Sequence, residues 1–413
     1  MNLYLFNATD SAAVYGIGTY LKELTNALED SDINIHVVHL HSVHPEFEIV
    51  KKDNIEYWHV PDVYNHNTFT SSMQKLEDYC RNVIYLLRLY IKDTKDLVFH
   101  INYNHYQFFA KELKTAFDCK TVATVHFTKW ALELQGNLAL LQTILSKPDD
   151  QKNTHENWIC TTVENESLLY KEVDQVIALA HYTKNILHSD YQIDAKKISV
   201  IPNGLDDIGL MTETDKEALR KKWLISEKEF IILYVGRLHE AKGIKFLFSA
   251  FRQVLNTIPE CRLMIVGSGE YGKYMKEVKD ICTRVTFTGL LEKQELYDLC
   301  QISDIGVLPS LTEQCSYVVI EMLMLGLAII TTSAPGLEEM TKDEISSLQV
   351  PLIVNPERVE VDTDLMAEKI VYLLEHPEEA KRLGENARKR YEDCYSKEIF
   401  RKNMCHFYRS LYE

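Results

Sequence analysis

The sequence predicts an α/β protein made of two doubly wound domains, and three observations support this fold class. Short apolar runs of strand length alternate with amphipathic stretches of helix length. This alternation occurs twice, and the tripeptide Pro202-Asn203-Gly204 interrupts it between the two series. The chain has 413 residues, which is too long for one ordinary hydrophobic core.

The first series predicts a domain over residues 1–204. Its predicted buried parallel strands are Leu3–Phe6, Ile35–Leu40, Leu97–Ile101, Thr121–Val125, Val176–Leu179 and Ile198–Ile201. Helices are predicted between them, for example over 18–30 and 73–92. Residues 134–172 do not follow the alternation and predict a helical insertion, in which the polar run 147–157 is expected to be a mobile loop at a lid or acceptor surface.

The second series predicts a domain over residues 205–385, opened by a linker and leading helix at 205–225. Its predicted strands are Phe230–Val235, Arg262–Val266, Val285–Phe287, Ile305–Leu308 and Ala328–Thr332. Residues 386–413 are charged and helical in pattern. We expect this last segment to cross back to the first domain.

Charge and hydropathy limit the functional class and the compartment. The net charge is −16 and both halves are acidic, so neither half is a basic nucleic-acid-binding module. The acidity also disfavours peripheral membrane contact, although a local basic patch would still permit it, because salt screens charge beyond roughly 8–10 Å. No apolar run reaches the roughly 18 residues of a spanning helix, and residues 1–6 enter a strand without a basic signal region. A cytoplasmic protein is expected.

The metal-ligating residue types show no pattern typical of a metal site. The nine cysteines are scattered, odd in number and include no CxxC pair, so the sequence predicts neither a disulfide framework nor a zinc site. Two Asp-x-Asp strings occur in the sequence. The one at 30–32 follows a predicted helix, and the one at 362–364 lies near the end of the chain. We interpret both strings as chance matches and predict no metal.

Two glutamates, Glu313 and Glu321, flank a predicted helix start near Ser316 or Tyr317. The first amides of a helix have no internal partner and favour an anion, so this start can hold a phosphate. Glu321 then lies about one turn inside, where a ribose would be, and Glu313 lies on the other side of the phosphate. The apolar run 305–308 places Glu313 at the carboxyl end of a strand, where open α/β sheets bind ligands.

Glycines and cations follow the other predicted strands of the second domain. Gly236 permits a tight turn after the first strand, and Arg237 and Lys242 supply two cations five residues apart, as a diphosphate leaving group requires. Gly267 opens a second glycine-rich turn near the phosphates. Leu291 lies in a third loop, whose backbone can face a nucleobase edge.

The first domain adds two candidate residues. Gly16, in Tyr15-Gly16-Ile17-Gly18, opens the first predicted helix and lets amides approach a diphosphate or sugar. The string lacks the third glycine of the dinucleotide fingerprint, and no acidic residue follows the second strand, which argues against NAD. His126 follows the predicted strand 121–125, at the carboxyl end of that strand. It can bind the transferred sugar or the acceptor, and the alternative is a purely structural role.

These motifs, together with Ile201-Pro202-Asn203-Gly204, occur in one order that closely resembles the retaining GT-B glycosyltransferases of family 4. The resemblance covers nearly the whole chain and is strongest over 196–345. It implies two Rossmann-like domains facing across a cleft, a nucleoside-diphosphate sugar as co-substrate, and no cofactor or metal. Carried over by position, Arg237 and Lys242 neutralise the diphosphate, Glu321 binds ribose, Glu313 lies by the donor sugar, and the Leu291 backbone meets the base.

The family pattern has two departures in this chain. Glycine is usual where Ser316 stands, and the N-terminal loop usually has paired glycines, of which Tyr15 replaces the first. The expected enzyme is a hexosyltransferase that moves a sugar, with UDP favoured as the nucleotide, to a glycan, peptide or small molecule. Its catalytic candidates are Glu313, His126, Arg237 and Lys242. The alternatives are a nucleotide-sugar epimerase of the same fold, an inactive nucleotide-sugar-binding subunit and, weakened by the missing acidic residue, a nicotinamide-dependent oxidoreductase.

Overall fold

A computed structural model describes residues 1–7, 16–62, 72–92, 94–103 and 107–413 of the chain. Within these residues, contacts divide the chain into two compact units. The first comprises Met1–Thr128, Ile144–Asn203 and Lys397–Glu413, and the second comprises Lys129–Thr143 and Gly204–Ser396. The ranges 1–204, 205–385 and 386–413 remain predictions of domain organisation. The two units differ from them because residues 129–143, 204 and 386–396 belong to the second unit and 397–413 belong to the first.

The first unit contains a sheet of eight strands. These are β1 Asn2–Asn7, β2 Asn34–Ser42, β3 Glu48–Lys52, β4 Ile55–Pro61, β5 Leu97–Ile101, β6 Cys119–Val125, β7 Gln175–Ala178 and β8 Ile198–Val200. Their order is β3-β4-β2-β1-β5-β6-β7-β8, and only β3 and β4 pair antiparallel among these described strands. The order reverses between β1 and β5, which is the doubly wound arrangement that the sequence predicts.

The helices up to Gly204 connect these strands. They are α1 Gly16–Leu28, α2 Ser72–Tyr90, α3 Gln107–Ala116, α4 Lys129–Glu133, α5 Leu138–Ser146, α6 Thr154–Glu172 and α7 His181–Ser189. Both faces of a parallel sheet must be covered, which explains why β1 and β5 are buried along their whole length.

The second unit contains a six-stranded parallel sheet and a separate two-stranded hairpin. The strands are β9 Phe230–Val235, β10 Cys261–Val266, β11 Val285–Gly289, β12 Ile305–Leu308, β13 Ile329–Thr332, β14 Leu348–Val350, β15 Leu352–Val354 and β16 Val359–Val361. The large sheet has the order β11-β10-β9-β12-β13-β14, in which β9 and β12 are the central neighbours.

The remaining helices are α8 Glu213–Lys222, α9 Ile244–Thr257, α10 Tyr271–Glu277, α11 Lys293–Ile302, α12 Tyr317–Met324, α13 Pro335–Met340, α14 Thr363–Glu375, α15 Pro377–Cys394 and α16 Lys397–Ser410. The apolar faces of α9 and α14 pack with the strands into one core that includes Phe248, Phe251 and Ile370. None of the described helices is both long enough and apolar enough to cross a membrane.

Every strand predicted from an apolar run is confirmed, with ends that differ by no more than two residues. The sequence did not predict β3 and β4 in the first unit or the short strands β14, β15 and β16 in the second. All five residues of β3 are exposed, so the apolar signal of burial is absent there. Its partner β4 follows through the turn residues Asp53 and Asn54, and Asp53 has a positive φ of 56°. Asp and Asn are typical of such tight hairpin turns.

The prediction of a mobile loop over 147–157 is wrong. Residues Asp149–Gln151 form a 3-10 turn, and α6 begins at Thr154. Asn153 and Glu156 form a reciprocal capping box, and the Lys147 ammonium lies 2.5 Å from the Glu156 carboxylate. The polar residues that suggest a loop are therefore the residues that start a helix.

The last helix, α16, belongs to the first unit. The Tyr408 hydroxyl lies 2.7 Å from His100 Nδ1 in the middle of β5, and the ring of Phe400 packs edge-on against that of Tyr20. The other His100 nitrogen contacts Thr124 Oγ1 at 2.6 Å. The side chain of His100 is completely buried, so its two hydrogen bonds satisfy both ring nitrogens.

Candidate functional site

The candidate site lies where the strand order of the second sheet reverses. Because β9 and β12 are neighbours, the loop 236–243 after β9 and the loop 309–316 after β12 meet at one edge of the sheet. Open α/β sheets bind ligands outside the carboxyl ends of their strands at such a reversal. The residues singled out from the sequence are concentrated in these two loops.

Gly243 brings the two loops into backbone contact. Its φ is 65°, in the left-handed region that glycine adopts without strain. A Cβ at this position would lie 1.8 Å from the carbonyl oxygen of Pro309. The N–H of Leu311 also donates to the carbonyl of Ala241 at 2.9 Å. The loops are therefore locked together by backbone atoms, independently of their functional side chains.

Lys242 and Glu313 form an ion pair between these loops. The ammonium lies 2.5 Å from Glu313 Oε1, and the Ser310 hydroxyl donates to the same oxygen at 3.1 Å. The two charged side chains are 18% and 13% exposed, respectively. Because so little water screens the pair, its attraction is stronger than that of a surface salt bridge. Two of the predicted catalytic residues are thus in direct contact.

Arg237 stands in the same loop in a different environment. Its side chain is exposed, and its guanidinium forms no hydrogen bond or ion pair with a described residue. The Tyr234 hydroxyl donates to the backbone carbonyl of Arg237 at 2.9 Å, which fixes the main chain from which the side chain projects. A planar guanidinium with unused donors at this edge can bind phosphate oxygens in two places.

The predicted helix start is confirmed: Ser316 is the N-cap residue and α12 begins at Tyr317. The Ser316 N–H donates to the sulfur of Met340 at 3.2 Å, and its hydroxyl makes no capping bond. The first backbone acceptor inside the helix is the Ser316 carbonyl, which receives the N–H of Ile320. The amides of Val318 and Val319, in the first turn, therefore have no acceptor inside the helix.

Glu321 is buried in α12, with 3% of its surface exposed. Its carboxylate is hydrogen-bonded and ion-paired with the ammonium of Lys293, the first residue of α11. Burial raises the pKa of the Glu321 carboxyl, and the positive charge of Lys293 opposes that rise. The predicted ribose ligand therefore has a counter-charge that comes from a neighbouring helix.

Glycines allow the loops after β9 and β10 to approach each other closely. Gly267 has a φ of 143°, and a Cβ there would lie 1.9 Å from the carbonyl oxygen of Gly236. The Gly267 N–H donates to the carbonyl of Gly289 at 2.9 Å, which joins the loop after β11 to the set. Leu291 lies in that third loop, half-buried, immediately before α11.

His126 lies in the first unit, directly after β6. Its Nε2 is 2.9 Å from Asn102 Oδ1, and the Asn102 amide donates in turn to the carbonyl of Phe6. These partners assign the Nε2–H tautomer and leave Nδ1 as an acceptor. Burial lowers the pKa of His126 to about 3, so its imidazole is neutral at physiological pH.

The other first-domain candidate, Gly16, is the first residue of α1, and a Cβ there would meet no heavy atom within 4 Å. The preceding Tyr15 lies outside the described residues. No cluster of three or more metal-ligating side chains occurs in the part of the chain that the structure describes. Of the Asp-x-Asp strings, Asp32 pairs with Arg409 at 2.8 Å and Asp362 caps α14.

Family comparison covers both units. The family described as "Glycosyl transferases group 1" matches residues 215–390, and the one described as "Glycosyltransferase Family 4" matches residues 14–207. The chain belongs to the group 1 glycosyltransferases.

Curated relatives of this glycosyltransferase chain match over part of their length. An uncharacterized glycosyltransferase of Methanocaldococcus jannaschii is 30% identical over 212 residues, which is 49% of this chain and 51% of that protein. The D-inositol 3-phosphate glycosyltransferase of Segniliparus rotundus is 27% identical over 53% of this chain and 48% of its own. The chain thus spans about half the length of these relatives in each match.

Solved structures match over the whole chain and establish a GT-B glycosyltransferase fold. Sucrose-phosphate synthase from Thermosynechococcus elongatus has a TM-score of 0.77 at 21% identity, with 100% of this chain and 99% of that chain covered. HepE from Anabaena, in complex with UDP and glucose, has a TM-score of 0.74 at 15% identity, with 99% and 100% covered. At these identities the likeness concerns the fold alone.

Three features near the site were missed in the sequence. Lys293 follows Leu291 by two residues and has no motif of its own. Gly336 packs against the loop 309–316, since a Cβ there would lie 2.4 Å from the Glu313 carbonyl oxygen. The sequence pattern that could have drawn attention to it is the dipeptide Pro335-Gly336. Gly136, in the predicted insertion, belongs to the second unit, and its Cβ would lie 2.9 Å from the Leu311 carbonyl oxygen.

Proposed function

We propose that this chain is a retaining glycosyltransferase that moves a hexose-type sugar from a nucleoside-diphosphate sugar to an acceptor hydroxyl, without a metal. The observation that carries the proposal is the half-buried ion pair of Lys242 and Glu313 at the strand reversal. Glu313 of this pair lies in the loop that leads into α12, whose first amides can bind a phosphate. Family membership supports the reaction type.

The diphosphate would bind between Arg237, Lys242 and the first amides of α12. An ammonium has three donors, so Lys242 can keep its bond to Glu313 while it donates to a phosphate oxygen. Arg237 has its donors unused and can close on the phosphates from the exposed side. Together these groups stabilise the charge that develops on the leaving diphosphate.

The acceptor hydroxyl would attack the anomeric carbon on the face from which the diphosphate leaves. The bond between that carbon and the phosphate oxygen breaks, the new glycosidic bond forms on the same face, and the acceptor proton passes to the departing phosphate oxygen. The configuration is retained. Glu313 lies by the donor sugar in this scheme, and its pairing with Lys242 and Ser310 uses the carboxylate as a positioning group rather than as a covalent nucleophile.

The donor nucleotide is proposed to be UDP, because a crystal structure of the structurally similar HepE contains UDP and glucose. The acceptor is a glycan, a peptide or a small molecule. His126 would contribute its Nδ1 as a hydrogen-bond acceptor for the sugar or the acceptor, and Gly16 would leave space at the start of α1. Cytoplasmic location, the absence of a nucleic-acid partner and disfavoured peripheral membrane contact are parts of the same proposal.

A two-stage experiment tests the proposal. Thermal shift with UDP, GDP and ADP selects the nucleotide, and a hydrolysis and transfer screen with the matching sugar donors then measures release of the nucleoside diphosphate. Transfer with retained anomeric configuration supports the proposal. Turnover of the donor to an epimer without acceptor would indicate the epimerase instead, and nucleotide binding without release would indicate an inactive subunit. Reduction of a candidate substrate by NADH would revive the oxidoreductase.

A further inference from the structure

The protein binds one of the two oxygens of the Glu321 carboxylate. Lys293 donates to Oε1, and Oε2 receives no hydrogen bond from a described residue, although the side chain is 4% exposed. A carboxylate oxygen has two lone pairs, so Oε2 has capacity to accept further hydrogen bonds while Lys293 is bound at Oε1. A ligand hydroxyl is a donor of the kind that this oxygen lacks.

Lys293 is held in place by more than the carboxylate. Its ammonium also lies 5.3 Å from the centroid of the Tyr297 ring, one turn further along α11. The lysine side chain is 46% exposed, whereas its partner Glu321 is almost fully buried. The exposed ammonium therefore lies on the solvent side of the buried Glu321 carboxylate. Lys293 begins α11, two residues after Leu291, which lies in the loop that follows β11.

We propose that Lys293 is a positioning residue for the donor ribose. It holds the Glu321 carboxylate through a direct ion pair at Oε1, so that Oε2 can accept hydrogen bonds from the vicinal 2′- and 3′-hydroxyls of a ribonucleoside. This inference rests on the proposed function, because it requires a nucleoside diphosphate in the site. Lys293 does not touch the reacting atoms and acts through Glu321.

Two physical arguments favour this role over a plain structural salt bridge. A carboxylate in a buried position needs a counter-charge to remain ionised, and Glu321 has Lys293 for that purpose. A carboxylate has two oxygens with several lone-pair directions, so one ammonium on Oε1 leaves the other oxygen available. The pair thus makes a fixed acceptor, whereas a glutamate without the ammonium would lose both its counter-charge and the hydrogen bond that fixes its side chain.

The test compares binding of a ribonucleoside diphosphate with that of its 2′,3′-dideoxy analogue by isothermal titration calorimetry. The pair is UDP and dideoxy-UDP, or the GDP or ADP pair if thermal shift selects another base. The wild-type chain should prefer the ribonucleotide by about tenfold or more, as expected for hydrogen bonds to a charged group. Lys293→Met should reduce this preference to about twofold or less, and Lys293→Arg should restore most of it.

Two further variants separate positioning from folding. Glu321→Gln should reduce the preference as Lys293→Met does, and the double variant should lose no more than either single one, because both act through one contact. Lys216→Met removes an ion pair with Glu213 on α8 and should leave the preference unchanged. If Lys293→Met does not fold, Lys293→Gln, which keeps a donor but no charge, replaces it in the same comparison.

The outcomes distinguish the two proposals. A folded Lys293→Met chain that keeps the wild-type ribose preference would overturn the inference and leave a structural ion pair, visible only as a lower Tm. A wild-type chain that binds nucleoside diphosphate with no ribose preference would also overturn it, while the proposed function stands. A wild-type chain that binds none of the nucleoside diphosphates would remove both.

Discussion

The Lys242 ammonium lies 2.5 Å from the Glu313 carboxylate, although 71 residues of sequence separate the two side chains. The contact exists because β9 and β12 are adjacent and because Gly243 lets the two following loops touch through their backbones. An anionic ligand would therefore meet a cation whose position is already fixed. Such preorganisation reduces the cost of arranging charges around a leaving group.

Replacement of Lys242 by alanine should lower kcat by about 10²- to 10³-fold, which is typical for the loss of one group that stabilises a developing negative charge. It would also leave Glu313 without its counter-charge next to an anionic donor. Lys245→Ala is the matched control, since Lys245 lies three residues further on and pairs with Glu240 and Glu277. Steady-state turnover of the identified sugar donor measures both; near-normal kcat in Lys242→Ala would contradict the assignment.

Arg237→Ala should raise KM for the donor and lower kcat, since it removes a proposed phosphate ligand. The exposed guanidinium has no hydrogen-bond or ion-pair partner among the described residues that the substitution would remove. For the same reason the free energy of unfolding should change by less than about 0.5 kcal/mol. Kinetics and urea denaturation of the same preparation test the two halves of this expectation. A large loss of stability would show that the side chain has a structural role instead.

Gly243→Ala should destabilise the second unit by about 2 kcal/mol or more. The added Cβ would meet the Pro309 carbonyl oxygen at 1.8 Å, and the residue would be held at a φ of 65°. Gly272→Ala is the control, because Gly272 lies in α10 and its Cβ would meet nothing within 4 Å. Urea denaturation should show that variant unchanged or slightly more stable; equal effects of the two substitutions would refute the steric explanation.

Asn102→Ala should lower kcat by about 3- to 10-fold, the range expected for one neutral hydrogen bond, and leave nucleoside-diphosphate affinity unchanged. The reason is that Asn102 orients the His126 ring, which faces the sugar or acceptor in the proposed reaction. Asn34→Ala provides the control, since Asn34 bonds to Asn2 at the amino end of the same sheet. An unchanged kcat in Asn102→Ala would separate His126 from the reaction.

The stability of the first unit should decline with acid in a defined window. Burial lowers the pKa values of His100 and His126 from 6.5 to about 3. Each histidine therefore binds a proton on unfolding but not in the fold between these two pH values, so the free energy of unfolding falls as pH drops from about 6.5 to about 3. The slope is about 1.4 kcal/mol per pH unit for each histidine.

Hydrogen exchange of amides in β5 and β6 between pH 7 and pH 5, corrected for intrinsic exchange rates, measures this slope. His100→Gln should reduce it by the share of one histidine. The exposed His406 of α16 should leave the slope unchanged when replaced by glutamine. A wild-type opening free energy that stays constant between pH 6.5 and pH 5 would contradict the prediction.

Eleven strands could be predicted because they follow from apolar runs, and Lys242 and Glu313 could be placed at strand ends of the second sheet. Their direct ion pair could not be predicted, because it depends on the adjacency of β9 and β12. Side-chain contacts that depend on how two helices pack together could not be predicted. Lys293 reaches Glu321 only because α11 and α12 lie side by side, and sequence periodicity does not report such pairings. β3 escaped because an exposed edge strand has no apolar pattern. Ser316 lies at the predicted helix start, and its own amide donates to the Met340 sulfur, a contact that no sequence pattern reports.

The C-terminal helix α16 has a consequence for how the chain is made. Residues Lys397–Glu413 belong to the first unit, whose central strand β5 carries the histidine that bonds to Tyr408. During translation, the hydrogen bond between His100 and Tyr408 cannot form until the whole second unit has been synthesised. The second unit, whose segments end at Ser396, can therefore complete its core first, and the half of the molecule that is translated earlier is the half that finishes folding last.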